Sequence, residues 1–91
     1  MSDEAIADYH QNIEFLEREW SSQVAAEFIT DVDSALELIK SHPGLYPQTD
    51  YREIRKAVIR KQITLFFKVK AKHVYLIRFW NNYQNPEKLK L

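Results

Sequence analysis

The sequence contains no cysteine and a single glycine in 91 residues. Without cysteine there is no disulfide scaffold, no thiolate metal site and no cysteine nucleophile. One glycine cannot build a glycine-rich phosphate loop, which removes Rossmann and P-loop chemistry. No run approaches the ~20 apolar residues that a bilayer span requires, and the acidic start MSDEAIAD lacks the basic, then apolar, layout of a secretory signal. His10, His42 and His73 lie far apart, and neither HExxH nor an EF-hand spacing occurs, so no metal and no cofactor is expected. Ser2, Ser21, Ser22, Ser34 and Ser41 all fall at expected helix caps or within helices, which leaves a serine triad unsupported. These absences predict a soluble, cytoplasmic protein without a membrane role.

Hydrophobic residues make up 45% and charged residues 29% of the chain, an ordinary globular balance. The length accommodates one domain, residues 1–91. The zero net charge conceals a division. Residues 1–50 carry eleven acidic side chains against Arg18 and Lys40, a net −9, whereas residues 51–91 carry eleven basic ones against Glu53 and Glu87, a net +9. Either the halves neutralise each other on folding, or they meet different partners.

Ile6, Tyr9, Ile13, Leu16 and Trp20 recur at spacings of three and four, which predicts a helix over about 3–20 with that stripe packed inward. Ser2 and Asp3 are candidate N-caps, and Asp3, Glu4 and Asp8 suit the positive end of the helix dipole. Ser21-Ser22 offers a new cap. A second stripe, Val24, Phe28, Val32, Leu36 and Ile39, widened by Ala25, Ile29 and Ala35, predicts a helix over about 22–41. The pair should form an antiparallel hairpin. His42-Pro43-Gly44 ends it, because proline disfavours helix at the residue before it.

Residues 43–51 (PGLYPQTDY) mark the change to sheet. Three β-branched and aromatic runs follow, at about 52–60, 62–71 and 73–81, joined near Lys61 and Lys72 by connections too short for crossovers. An antiparallel meander is expected. In the middle run Ile63, Leu65, Phe67 and Val69 alternate with Thr64, Phe66, Lys68 and Lys70, as in a half-buried strand. The last run, VYLIRFW, is apolar on both faces, which suggests a central strand or one covered on both sides. The expected fold class is α+β, with the hairpin on one face of a small three-stranded antiparallel sheet. The other face would expose some of Phe66, Tyr75, Phe79 or Trp80, according to register. The tail should turn at Asn85-Pro86.

Asp31 and Asp33 point to different sides of their helix and read as solvating groups. The distinctive chemistry is a basic sheet with interleaved aromatics. Arg55, Lys56, Arg60, Lys61, Lys68 and Arg78, with Tyr51, Tyr75, Tyr83 and Trp80, can hold a phosphate backbone and stack bases. Metal-free RNA cleavage needs, besides cations, a base for the 2′-hydroxyl and an acid for the leaving oxygen. His73 is the only histidine in the basic half, and it falls at an expected turn.

The segments SDEAIADYHQNIEFLEREW, EIRKAVIRKQITLFFKV and VYLIRFWNNYQNPEKLKL, in that order, resemble the RelE/ParE toxin superfamily of bacterial type II toxin–antitoxin (plasmid stabilisation) modules. The resemblance covers nearly the whole chain. It implies a toxin neutralised by a cognate antitoxin whose C-terminal segment wraps across the toxin. It also implies one of two targets, mRNA cut on the ribosome or DNA gyrase inhibited without cleavage. A toxin fold with weakened activity, acting as a protein-binding module, is the alternative. Arg55, Lys56 and Arg60 match the basic first strand of the family. For a ribonuclease, Arg55, Lys56, Arg60 and Arg78 would carry phosphate and transition-state charge, with Tyr83 near the base, and Lys61, Lys68 and Trp80 would be further nucleic-acid contacts. Two departures stand out: Thr64 occupies a middle-strand position where ribonuclease members often have arginine, and Asn81-Asn82-Tyr83-Gln84 replaces the usual basic residues after the last strand. Family members also open with a short strand before the first helix. Here the helix begins almost at once, so an uncovered sheet edge is expected, suited to a partner or to a homodimer.

Overall fold

The computed structural model describes residues 2–83. The chain runs through α1 (Asp3–Glu19), α2 (Ser22–Ser41), a 3-10 turn (Pro43–Leu45), β1 (Arg55–Arg60), β2 (Ile63–Lys70) and β3 (His73–Asn81). The strands form one antiparallel sheet in the order β1-β2-β3. This is the α+β arrangement that periodicity predicts, and the expected turn at Asn85-Pro86 lies outside the described residues.

Both helices start at serine caps. Ser2 Oγ accepts from Ala5 N at 3.1 Å, and Ser21 Oγ accepts from Val24 N at 3.1 Å, each satisfying an N–H that the helix leaves unpaired. Helix α2 stops at His42, where the proline effect acts, and the lone Gly44 keeps a negative φ. Helix α2 packs over β1 and α1 over β3. The core lies between: Ala25, Phe28, Val32 and Ile39 of α2 meet Ala57, Ile63, Leu65, Phe67, Leu76 and Phe79 of the sheet. Tyr9 sits against both Phe28 and Phe79, with ring centroids 5.8 and 5.6 Å away. Its hydroxyl is held above its usual pKa, chiefly by burial and secondarily by the charge of Asp33.

Helix α1 is rotated relative to the stripe expected from its sequence. Its deepest residues are Ala5, Asp8, Asn12 and Leu16, while Ile6 and Trp20 are 43% and 62% exposed. The cause is the strand beneath it. β3 is an edge strand, and its outward backbone groups need partners, which the start of the chain and polar side chains of α1 supply. Ser2 N donates to Leu76 O at 3.1 Å and Ser2 Oγ to Ile77 O at 3.0 Å. Phe79 N donates to Asp8 Oδ2 at 3.0 Å, and Asn12 Nδ2 donates to Phe79 O at 3.3 Å. The sheet edge expected to be uncovered is therefore capped from Leu76 to Phe79 by the chain itself.

Nor is β3 the central strand that its two-faced apolarity suggests; β2 is. Between Phe66↔Arg78 and Phe67↔Leu76 the pairing shifts by one residue, which leaves Ile77 as the extra residue of a bulge. The bulge exchanges inward and outward positions, so Leu76 and Phe79 both enter the core despite their odd spacing. A second shift, between Val58 and Arg60, turns Arg60 to the helix side. The β2–β3 turn places Ala71 and Lys72 at φ 51° and 67°, the positive values of a two-residue hairpin turn, without the usual Asn-Gly.

Candidate functional site

The register divides the basic half into two surfaces. On the sheet face opposite the helices, cross-strand neighbours align as Lys56–Phe66–Arg78, Val58–Thr64–Trp80 and Lys68–Tyr75. Of the aromatics that register left open, Phe66, Tyr75 and Trp80 face outward, and Phe79 faces the core. The Lys68 ammonium lies 5.7 Å from the Tyr75 ring centre, and the Arg78 guanidinium 5.4 Å from that of Trp80. Such cation–π contacts keep the rings and charges in register along the face. Thr64 occupies its centre, beside Trp80.

The second surface is a cleft of 380 Å³ on the helix side, where the α1–α2 and β1–β2 turns meet the end of β3. Arg60, Lys61 and Tyr83 line it, together with Phe15 and Trp20. The structure thus brings Arg60, Lys61 and Tyr83 together, and places Lys56, Lys68, Arg78 and Trp80 on the opposite face. Arg55 belongs to neither group. Its Nη1 donates to Tyr46 O at 2.6 Å, which ties the loop before β1 to the sheet.

Of the three arginines expected to meet phosphate, Arg60 and Arg78 already hold carboxylates of the helical half. Arg60 Nη1 lies 2.9 Å from Asp31 Oδ2 and 3.6 Å from Glu27 Oε1. Asp31 is therefore an ion-pair partner and not merely a solvating group. Arg78 grips Asp8 with two donors, Nε to Oδ2 at 2.6 Å and Nη2 to Oδ1 at 3.0 Å, and reaches Glu4 at 3.2 Å. The Asp8 hydrogen bond, aided by the charges of Asp8 and Glu4 and opposed by burial, holds the Arg78 proton more firmly than usual. For these two cations the acidic and basic halves do neutralise each other. Lys56, Lys61 and Lys68 pair with no carboxylate among the described residues.

Sequence reading passed over one polar row. Asn12 Nδ2 also donates to Asp8 O at 2.9 Å, Asn81 Nδ2 donates to Asn12 Oδ1 at 2.8 Å, and Asn81 Oδ1 accepts from Tyr83 N at 2.8 Å. Asn12 and Asn81 are 2% and 1% exposed. The signal available was the Asp8–Asn12 spacing of four, which puts both on one side of α1, although the sequence suggested for Asp8 only a place near the positive end of the helix dipole. The row places the Tyr83 backbone at the cleft, where its ring stacks on Phe15 at 6.4 Å between centres. Among the described residues no cluster of His, Cys, Asp or Glu can hold a metal ion, and no helix is long and apolar enough to cross a membrane. No family model matches the chain, and no curated protein matches its sequence.

Proposed function

We propose that this chain is the toxin component of a bacterial type II toxin–antitoxin module of RelE/ParE type, neutralised by a cognate antitoxin and acting on translation or on DNA gyrase in the cytoplasm. The observation that carries the reading is the outward sheet face, on which Lys56 and Lys68 flank Phe66, Tyr75 and Trp80 opposite a helical hairpin. A partly exposed aromatic face with lysines that no described carboxylate answers suits an acidic, amphipathic partner segment that orders on binding. The ion-paired arginines favour a second reading within the same module. Arg60 and Arg78 sit on opposite sides of the sheet with their charges answered, which supports target binding without RNA cleavage. Reversing the exposed charge of Lys56 and the half-buried one of Lys68 tests the partner surface. Lys56→Glu with Lys68→Glu should weaken the complex with the product of the neighbouring antitoxin gene by at least ~100-fold, as loss of two charge contacts and gain of two repulsions imply. Unchanged affinity in a calorimetric titration would remove the sheet face from the interface.

A further inference from the structure

The far end of the helical hairpin carries a groove that the toxin reading does not use. It measures 540 Å³ and runs between the second half of α2 and the first half of β3. Leu36, Val74 and Leu76 form its apolar wall, and Asp33, Glu37 and Lys40 border it. Ile29 lies one turn before Asp33 on the same side of α2 and is 37% exposed, which lengthens the apolar strip. Among the described residues neither Asp33 nor Glu37 pairs with a cation, Lys40 included. The chain enters the β3 wall of the groove through the turn Lys70-Ala71-Lys72-His73. All four of these residues are exposed, and no described carboxylate answers either lysine. A basic turn and an acidic rim thus border one groove.

We propose that this face is the interface of a homodimer, in which the β2–β3 turn of each protomer fits against the Asp33–Glu37 rim of the other. The arrangement of charge selects the occupant. A uniformly basic partner would oppose Lys40, Lys70 and Lys72, and an acidic one would oppose Asp33 and Glu37. A surface that carries both signs side by side is its own complement under a two-fold rotation. That rotation sets Lys72 of one protomer against the partner's Glu37, and the reciprocal contact forms with it. The apolar strip of α2 then leaves water at the centre of the interface. Because both contacts are satisfied at once, the assembly closes at two copies and does not grow into a filament. The β3 edge expected to join two copies is capped by the chain itself and takes no part. The outward sheet face also stays free, so loss of the dimer would leave the toxin reading untouched, and the reverse holds too.

Sedimentation equilibrium of the full chain over about 1–100 μM tests the interface. At low salt the mass should rise from one chain to two, with a Kd on the order of 10 μM. Salt at about 1 M should raise that Kd at least ~10-fold, as screening of exposed charges implies. Glu37→Lys and Lys72→Glu each strike both symmetric contacts, and each should weaken the dimer at least ~100-fold. Both positions are exposed, so neither change reaches the core. An equimolar mixture of the two variants should dimerise again, because every contact then joins opposite charges, and that recovery also shows that both variants fold. Glu17→Lys, exposed on α1 at the other end of the hairpin, changes the net charge as Glu37→Lys does and should leave the Kd unchanged. A monomer throughout the series, a dimer indifferent to both reversals, a mixture that stays monomeric, or a mass that grows past two chains would each overturn the proposal.

Discussion

Asp8→Ala is expected to destabilise the chain by about 3–5 kcal/mol, the cost of removing one partner of a buried ion pair. The side chain of Asp8 is 9% exposed and that of Arg78 24%. The carboxylate accepts two bonds from Arg78 and one from Phe79 N, so alanine leaves an edge-strand N–H unpaired and the half-buried guanidinium with Glu4 alone. Glu4 lies on the exposed side and cannot reach Phe79 N in its place. For a domain of this size the loss corresponds to a fall in Tm of more than ~12 °C. Asp8→Asn retains an acceptor for Phe79 N and should cost less. Urea denaturation of both variants, and of Arg78→Ala for a double-mutant cycle, measures the coupling. A loss below ~1 kcal/mol for Asp8→Ala, the scale of a surface ion pair, would show that the clamp contributes little.

Phe67→Ala should cost about as much, 3–5 kcal/mol, through a different mechanism. Phe67 is fully buried in the central strand, between Arg55 of β1 and Leu76 of β3. Its ring meets Tyr46 edge-on at 5.6 Å and 87°, so its loss opens a cavity and frees the loop that Arg55 also holds. The neighbouring backbone is pinned by ladder bonds on both sides, which limits collapse into the void. Denaturant unfolding should show a lower midpoint with an unchanged slope. A cost below ~1.5 kcal/mol would mean that the core repacks around the missing ring.

These two positions also show what sequence alone makes legible. Phe67 belongs to a clean alternation, Ile63-Leu65-Phe67, and period two was enough to place it inward. The caps Ser2 and Ser21, the proline stop and the meander were legible for the same reason: each is written within a few residues. Asp8 was not. Its role depends on an edge-strand N–H that lies 71 residues away, and apolar periodicity pointed to Ile6 and Trp20 in its place. The bulge at Ile77 likewise made an edge strand read as a central one, because a parity switch and two-faced burial produce the same string of letters. At the site, the basic and aromatic composition was evident, but its division between a sheet face and a cleft depends on the two bulges. The pairing of Arg60 with Asp31 spans 29 residues and was invisible to local pattern.

The toxin reading is tested most directly by inducing this chain alone in bacteria, with pulse labelling of protein and DNA synthesis in the same culture. The account predicts growth arrest with an early fall in one of the two. The answered charges of Arg60 and Arg78 favour arrest without cut messages. Growth with both syntheses undisturbed, while the folded chain accumulates, would contradict it.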